Sequence, residues 1–239
     1  MKWLINSRSN RRRLGRGSGI ACASRPQDDM RRLPLPMSNN PLLLLLVGAA
    51  GLYVGKLWRD DMRAARAGAP KPGSLPGATP AQPVAVMIAI VGALVLLVIE
   101  TVGEHVLGLS DQQSTITWLF ALYTLTAAII EEVIFRGYLV IDRQGSAIRW
   151  VAVLVASLLF AALHPFLWEW TDAGFTLKLN AKGAFSTAIV FATSLWLYIA
   201  RFAAWNPSHS LLPCIAGHAA KNAGVIAIKL AQGFVVGLW

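Results

Sequence analysis

Residues 118–141 read WLFALYTLTAAIIEEVIFRGYLVI. At 1.5 Å per residue this stretch is about 36 Å long as a helix, enough to cross a bilayer with some tilt. Its first half is free of charge, and then Glu131, Glu132 and Arg136 arrive within two helical turns. Each charge near the bilayer centre costs roughly 2.5–3.5 kcal/mol on insertion scales, so a cluster of three must face a protein interior or a water-filled cavity. Glu132 and Arg136 stand four residues apart and can satisfy each other on one helix face. The helix period turns Glu131 about 100° away from that pair. A carboxylate without a fixed partner, kept out of bulk water, is suited to general acid/base work.

The rest of the chain agrees with a membrane setting. It has 239 residues, 55% hydrophobic and 14% charged, with a mean hydropathy of +0.53, beyond what soluble domains of this size show. Only helices and closed barrels satisfy their backbone in lipid. The apolar runs are continuous, without the alternation of a barrel strand, which selects helices. Six runs are drawn as spans: Pro41–Leu57, Val84–Ile99, Trp118–Ile141, Ile148–Leu163, Ala184–Ala200 and Leu211–Leu230. The expected fold is an all-α polytopic bundle of about six transmembrane helices.

The net charge of +10 sits largely before residue 40, in Arg8, Arg11, Arg12, Arg13, Arg16, Arg25, Arg31 and Arg32. No aromatic platform or recognition motif accompanies these arginines, which argues against a nucleic-acid partner. No apolar core follows residues 11–16, which argues against a signal peptide. Residues 1–36 therefore read as a basic extension, either disordered or upstream of a start at Met37. Residues 37–82 read as an anchor helix followed by a linker rich in Arg and Pro, and residues 83–239 as the functional domain. Cys22 and Cys214 give no disulfide framework. Lys and Arg are frequent in the 59–71 linker and flank Gly145, whereas residues 100–114 have none. By the positive-inside rule this places the linker and the Gly145 turn in the cytoplasm and the amino terminus outside.

Further polar groups interrupt later spans. His164 follows Phe160 by one turn, and His218 and Asn222 lie four apart on one face of the last span, with Lys221 beside them. Taken singly, a His or Asn in a membrane helix is as well explained by helix–helix hydrogen bonding. Counted from a turn at Gly145, Glu131 stands about 21 Å and His164 about 28 Å into the membrane, close enough for one site.

The series Glu131-Glu132-x-x-x-Arg136-Gly137, Phe160-x-x-x-His164 and His218-x-x-x-Asn222 resembles the motifs of the CPBP intramembrane protease family, over about residues 83–239. That family includes the type II CAAX prenyl endopeptidases and proteins of bacteriocin processing and immunity. The resemblance implies hydrolysis of a peptide bond within the membrane. Glu131 and His164 would activate a water, His218 and Asn222 would donate to the oxyanion, and Glu132 with Arg136 would order the site. An alternative family view makes it a metalloprotease, with zinc held by Glu131, His164 and His218, an acceptable ligand set. The chain lacks His-Glu-x-x-His, so the residues give zinc no separate support, and no cofactor is expected firmly. The expected partners are the bilayer of the cell membrane, crossed several times, and a protein or peptide substrate near the inner leaflet. Two other classes compete: a family member acting as a scaffold or immunity protein without cleavage, and a transporter relaying protons through Glu131 and Lys221. The chain shows no inverted repeat in support of transport.

Overall fold

The computed structural model describes residues 40–140, 145–171 and 174–239. The basic extension expected at 1–36, with Cys22, lies outside these residues. Six helices make up the bundle: α1 (Pro41–Arg66), α2 (Pro83–Val106), α3 (Trp118–Glu132), α4 (Ser146–Leu163), α5 (Ala181–Phe202) and α6 (Leu212–Ala231). Five are long and apolar enough to cross a membrane, with α3 counted through Tyr138. The sixth, α6, has the length, but His218, Lys221, Asn222 and Lys229 dilute its hydropathy. It is a polar helix whose charged groups are buried against its neighbours.

Helix starts follow their caps. Asn40 accepts from Leu42 and Leu43 amides ahead of Pro41, Thr117 accepts from Phe120, and Asn180 accepts from Gly183, each side chain satisfying amides that the first turn leaves open. Most helices run past the limits drawn from hydropathy. The apolar run of α1 ends near Leu57, yet the helix continues to Arg66, because polar residues of good helix propensity extend it beyond the apolar stretch.

Small residues bring the helices together. Ala85, Ala89 and Ala93, spaced four apart on α2, are fully buried, and the Trp196 indole of α5 donates to the Ala89 carbonyl at 3.0 Å. A Cβ placed on Gly217 of α6 would stand 3.0 Å from that same carbonyl. In lipid, close backbone approach of this kind replaces the hydrophobic drive that soluble bundles use. A second small-residue stripe joins α1 to α3. A Cβ on Gly51 would meet the Thr126 carbonyl at 2.7 Å, and Gly48 and Gly55 face Thr126 and Ile129. The order of these contacts makes α1 and α3 parallel.

The segment between α1 and α2 is irregular, as its prolines dictate, yet it is tied into the bundle. The Trp58 indole donates to Pro76 O and the Leu75 amide to Asp61. Leu211 N donates to Gly77 O, and the hydroxyls of Ser208 and Ser210 donate to Pro80 O and Thr79 O. Trp58, Ala78, Val133, Leu197, Leu211 and Cys214 form one core cluster. The end of the bundle holding this segment, hereafter the linker end, also holds the α3–α4 and α5–α6 connections.

At the opposite end, residues 234–238 run beside the start of α3. Ile116 and Val235 bridge in parallel, and Trp118 and Leu119 amides donate to the Gly237 and Leu238 carbonyls. This end also carries an element absent from the all-α expectation, an antiparallel hairpin of β1 (Trp168–Thr171) and β2 (Gly174–Leu177).

Candidate active site

Directly after Glu132 the helix widens into a π-helical turn over Val133–Tyr138, a form that occurs mostly as isolated turns at functional sites. A wide turn leaves carbonyls without intrahelical donors, and α5 supplies them. The Tyr198 hydroxyl donates to Phe135 O at 2.6 Å, and Arg201 donates to Arg136 O. The turn presents Arg136 to the interior, where its side chain is wholly buried.

Arg136 organises the buried half of the site. Nη1 donates to Glu132 Oε1 at 3.1 Å, the ion pair expected from the spacing. Nη2 donates to Ser194 Oγ at 2.7 Å, and Ser194 donates on to Ser157 at 3.0 Å. The guanidinium lies over the Phe160 ring at 4.4 Å and the Tyr198 ring at 5.0 Å, geometry in which a desolvated cation gains from the ring faces.

His218 connects this buried pair to Glu131. Its Nδ1 lies 2.7 Å from Glu132 Oε1. A carboxylate paired with an arginine is ionised and can only accept, so the Nδ1 hydrogen belongs to His218. Its Nε2 then faces Glu131 Oε2 at 3.8 Å. Glu132 Oε1 thus serves both Arg136 and His218, while Oε2 has no hydrogen bond. The Glu131 side chain is 32% exposed against 0% for Glu132. Adjacent carboxylates therefore occupy different surroundings, one fixed and buried, the other free at the edge.

His164 caps the carboxyl end of α4 and its Nδ1 lies 2.8 Å from Phe160 O. That carbonyl only accepts, so Nδ1 is again the donor and Nε2 is left for chemistry. The ring sits 4.7 Å from Phe160, which in turn lies edge-on to His218 at 6.2 Å. Phe160 therefore contacts Arg136, His164 and His218 at once.

The structure brings Glu131, Glu132, Arg136 and His218 into direct succession and sets His164 one aromatic ring away. It does not bring in the Asn222 amide in the same manner: Nδ2 donates to Thr124 O on α3 at 3.0 Å, a helix–helix tie. Lys221 pairs with Glu100 of α2 at 2.6 Å, and not with Glu131, which removes the relay on which the transport reading rested.

The zinc set of Glu131, His164 and His218 is not gathered into one coordination sphere. Among the described residues no three His, Cys, Asp or Glu side chains lie close enough to share a metal ion. The residues present do not fit the metal centre, and no step is routed through one.

Ser157, Ser194, Tyr198 and Arg201 had no place in the sequence reading. A signal was present on α5: Ser194, Tyr198 and Arg201 follow an i, i+4, i+7 spacing, a polar stripe on an apolar span.

Residues 113–224 match the family model of the Rce1-like type II CAAX prenyl endopeptidases. The matched stretch runs from just before α3 into α6 and contains all six residues singled out above. No curated protein and no solved structure matches the chain.

Proposed function

We propose that the chain, whose residues 113–224 match the Rce1-like type II CAAX prenyl endopeptidase model, hydrolyses a peptide bond of a membrane-associated protein or peptide, with Glu131 as the general base. The observation that carries this is the contrast between neighbouring carboxylates. Glu132 is held by Arg136 and His218, while Glu131 is partly exposed and lies 3.8 Å from His218 Nε2. In the proposed reaction a water beside Glu131 and His164 gives its proton to Glu131 as its oxygen attacks the peptide carbonyl. The same proton then passes to the departing amine, so the carboxylate ends unchanged. His164 accepts from the water through Nε2, since Nδ1 is committed to Phe160 O. The oxyanion role that the resemblance gives His218 requires a hydrogen on Nε2. His218 carries one only as the imidazolium, and Glu132, one hydrogen bond away, is the anion that stabilises it. Asn222 contributes through its second amide hydrogen, the first being held by Thr124.

Burial sets the direction of approach. Towards the linker end the cluster is closed by Arg136, Ser194, Tyr198, Leu211 and Cys214, all without exposure. Glu131 and His164 are the accessible members, and His164 lies at the end of α4 from which the hairpin springs. A substrate near the inner leaflet of the cell membrane therefore calls for that end to be cytoplasmic. This orientation reverses the one read from the Lys and Arg of the 59–71 linker.

The test is cleavage of a farnesylated fluorogenic CAAX peptide by the purified protein in lipid nanodiscs. Glu131→Gln should abolish turnover while the thermal unfolding midpoint stays within a few degrees. Cleavage at the wild-type rate by this variant would remove Glu131 from the chemistry.

A further inference from the structure

The hairpin begins four residues after His164, and its first strand is fixed to α4. The Trp168 indole donates to Ala162 O at 2.7 Å, and the Phe166 ring stacks on His164 with centroids 6.0 Å apart. The strand register pairs Trp168 with Leu177, Glu169 with Thr176, Trp170 with Phe175 and Thr171 with Gly174. Trp168, Trp170, Phe175 and Leu177 thus share one apolar face, and Glu169, Thr171 and Thr176 the other.

The hydrogen-bond phase fixes what each edge offers. Lys178 N donates to Leu167 O, so 167–178 is a hydrogen-bonded pair. Antiparallel pairs alternate, which makes 169–176 and 171–174 hydrogen-bonded and leaves 168–177 and 170–175 open. The N–H and C=O groups of Phe175 and Leu177 consequently point away from β1, along an edge with no backbone partner among the described residues. β1 is half-buried at its start, whereas β2 is exposed from Phe175 through Leu177. An uncovered edge beside apolar side chains is a liability that proteins usually blunt with proline, charge or a cover. Here it is left open, next to the accessible side of the site.

We propose that the outer edge of β2 is the docking strand for the substrate, which adds to the hairpin as an extended peptide and is thereby delivered to Glu131 and His164. The inference rests on the endopeptidase reading above and names its substrate-binding element. A peptide bond must be extended to be attacked, and strand addition imposes that form through backbone bonds, with side-chain pockets at alternate positions. Trp170, Phe175 and Leu177 are exposed, as are Leu158, Leu159 and Leu163 of α4, the helix to which the Trp168 indole ties the hairpin. These side chains keep the edge at the membrane surface, where a lipid-anchored peptide runs.

Leu177→Pro tests the edge, because it removes an outward N–H while leaving every ladder bond in place. With the farnesylated peptide in nanodiscs, KM should rise about tenfold, the loss of one hydrogen bond, with kcat little changed. Thr176→Ala, whose backbone faces inward, should behave as wild type. Independently, hydrogen exchange on Glu131→Gln should slow at the Phe175 and Leu177 amides when the peptide is added, and not in lipid alone. Cleavage by wild type without that protection, and with KM unchanged in Leu177→Pro, would overturn the docking strand and leave the endopeptidase reading standing. Protection already present in peptide-free nanodiscs would assign the edge to the bilayer and likewise overturn it. If wild type does not cleave, the exchange result still decides: peptide-dependent protection supports the edge, and its absence overturns it.

Discussion

Arg136→Met is the substitution that most directly tests how the site is held. Arg136 is wholly buried, donates to Glu132 and Ser194, and lies over two aromatic rings. Methionine fills similar volume without charge, so the change removes the bonds and leaves Glu132 as a buried anion. Breaking a buried pair by removing one partner costs about 3–5 kcal/mol. His218 Nδ1, at 2.7 Å from Glu132, still donates to that carboxylate, which puts the expectation near the lower bound, about 3 kcal/mol. At roughly 2–4 °C per kcal/mol for a domain of this size, the unfolding midpoint in detergent should fall by about 6–12 °C, followed by tryptophan fluorescence. Adding Glu132→Gln removes the stranded charge, and the double variant should recover part of the loss, with a coupling of about 0.5–3 kcal/mol. A midpoint within 2 °C of wild type for Arg136→Met, or a double variant that merely sums the two losses, would refute the reasoning that charge pairing organises this core.

Gly51→Ala should destabilise by about 1–3 kcal/mol, since the new methyl meets the Thr126 carbonyl at 2.7 Å and forces α1 off α3; unchanged thermal stability would show that α1 is only an anchor. Dialysis against a chelator should leave peptide cleavage intact, because Glu131, His164 and His218 do not converge on one point; loss of activity restored by zinc would reverse this. Single cysteines at Ser146 and Ser110, in a background without Cys22 and Cys214, report orientation. An impermeant thiol reagent on intact cells should label position 146 and spare position 110, and the opposite pattern would put the accessible side of the site outside.

The parts of the molecule that a local pattern can encode were legible in the sequence. Hydropathy marks the spans, and the four-residue spacings of Glu132–Arg136 and Phe160–His164 mark residues that do meet their partners. Lengths were less legible, because a helix stops at its cap and not where its apolar run stops. What lay hidden depends on contacts across the fold. The π-helical turn over Val133–Tyr138 has no local signature and is sustained by Tyr198 and Arg201, some sixty residues away. The docking of the 74–80 segment rests on Ser208 and Ser210 hydroxyls, which look like ordinary turn residues. Asn222 shows the limit of spacing alone, since one hydrogen of its amide is held by Thr124 O, a contact that no local pattern announces.

The strand-like run of residues 234–238 against the start of α3 has a consequence for biosynthesis. The amides of Trp118 and Leu119 find their acceptors on Gly237 and Leu238, which the ribosome makes only after α4, α5 and α6. The helix that bears Glu131 therefore enters the membrane with its opening turn unfinished, and water or the translocon must hold those amides in the meantime. Completion of that turn is a late event in assembly, so a nascent chain stopped before residue 234 carries all six motif residues yet lacks the clasp that closes α3.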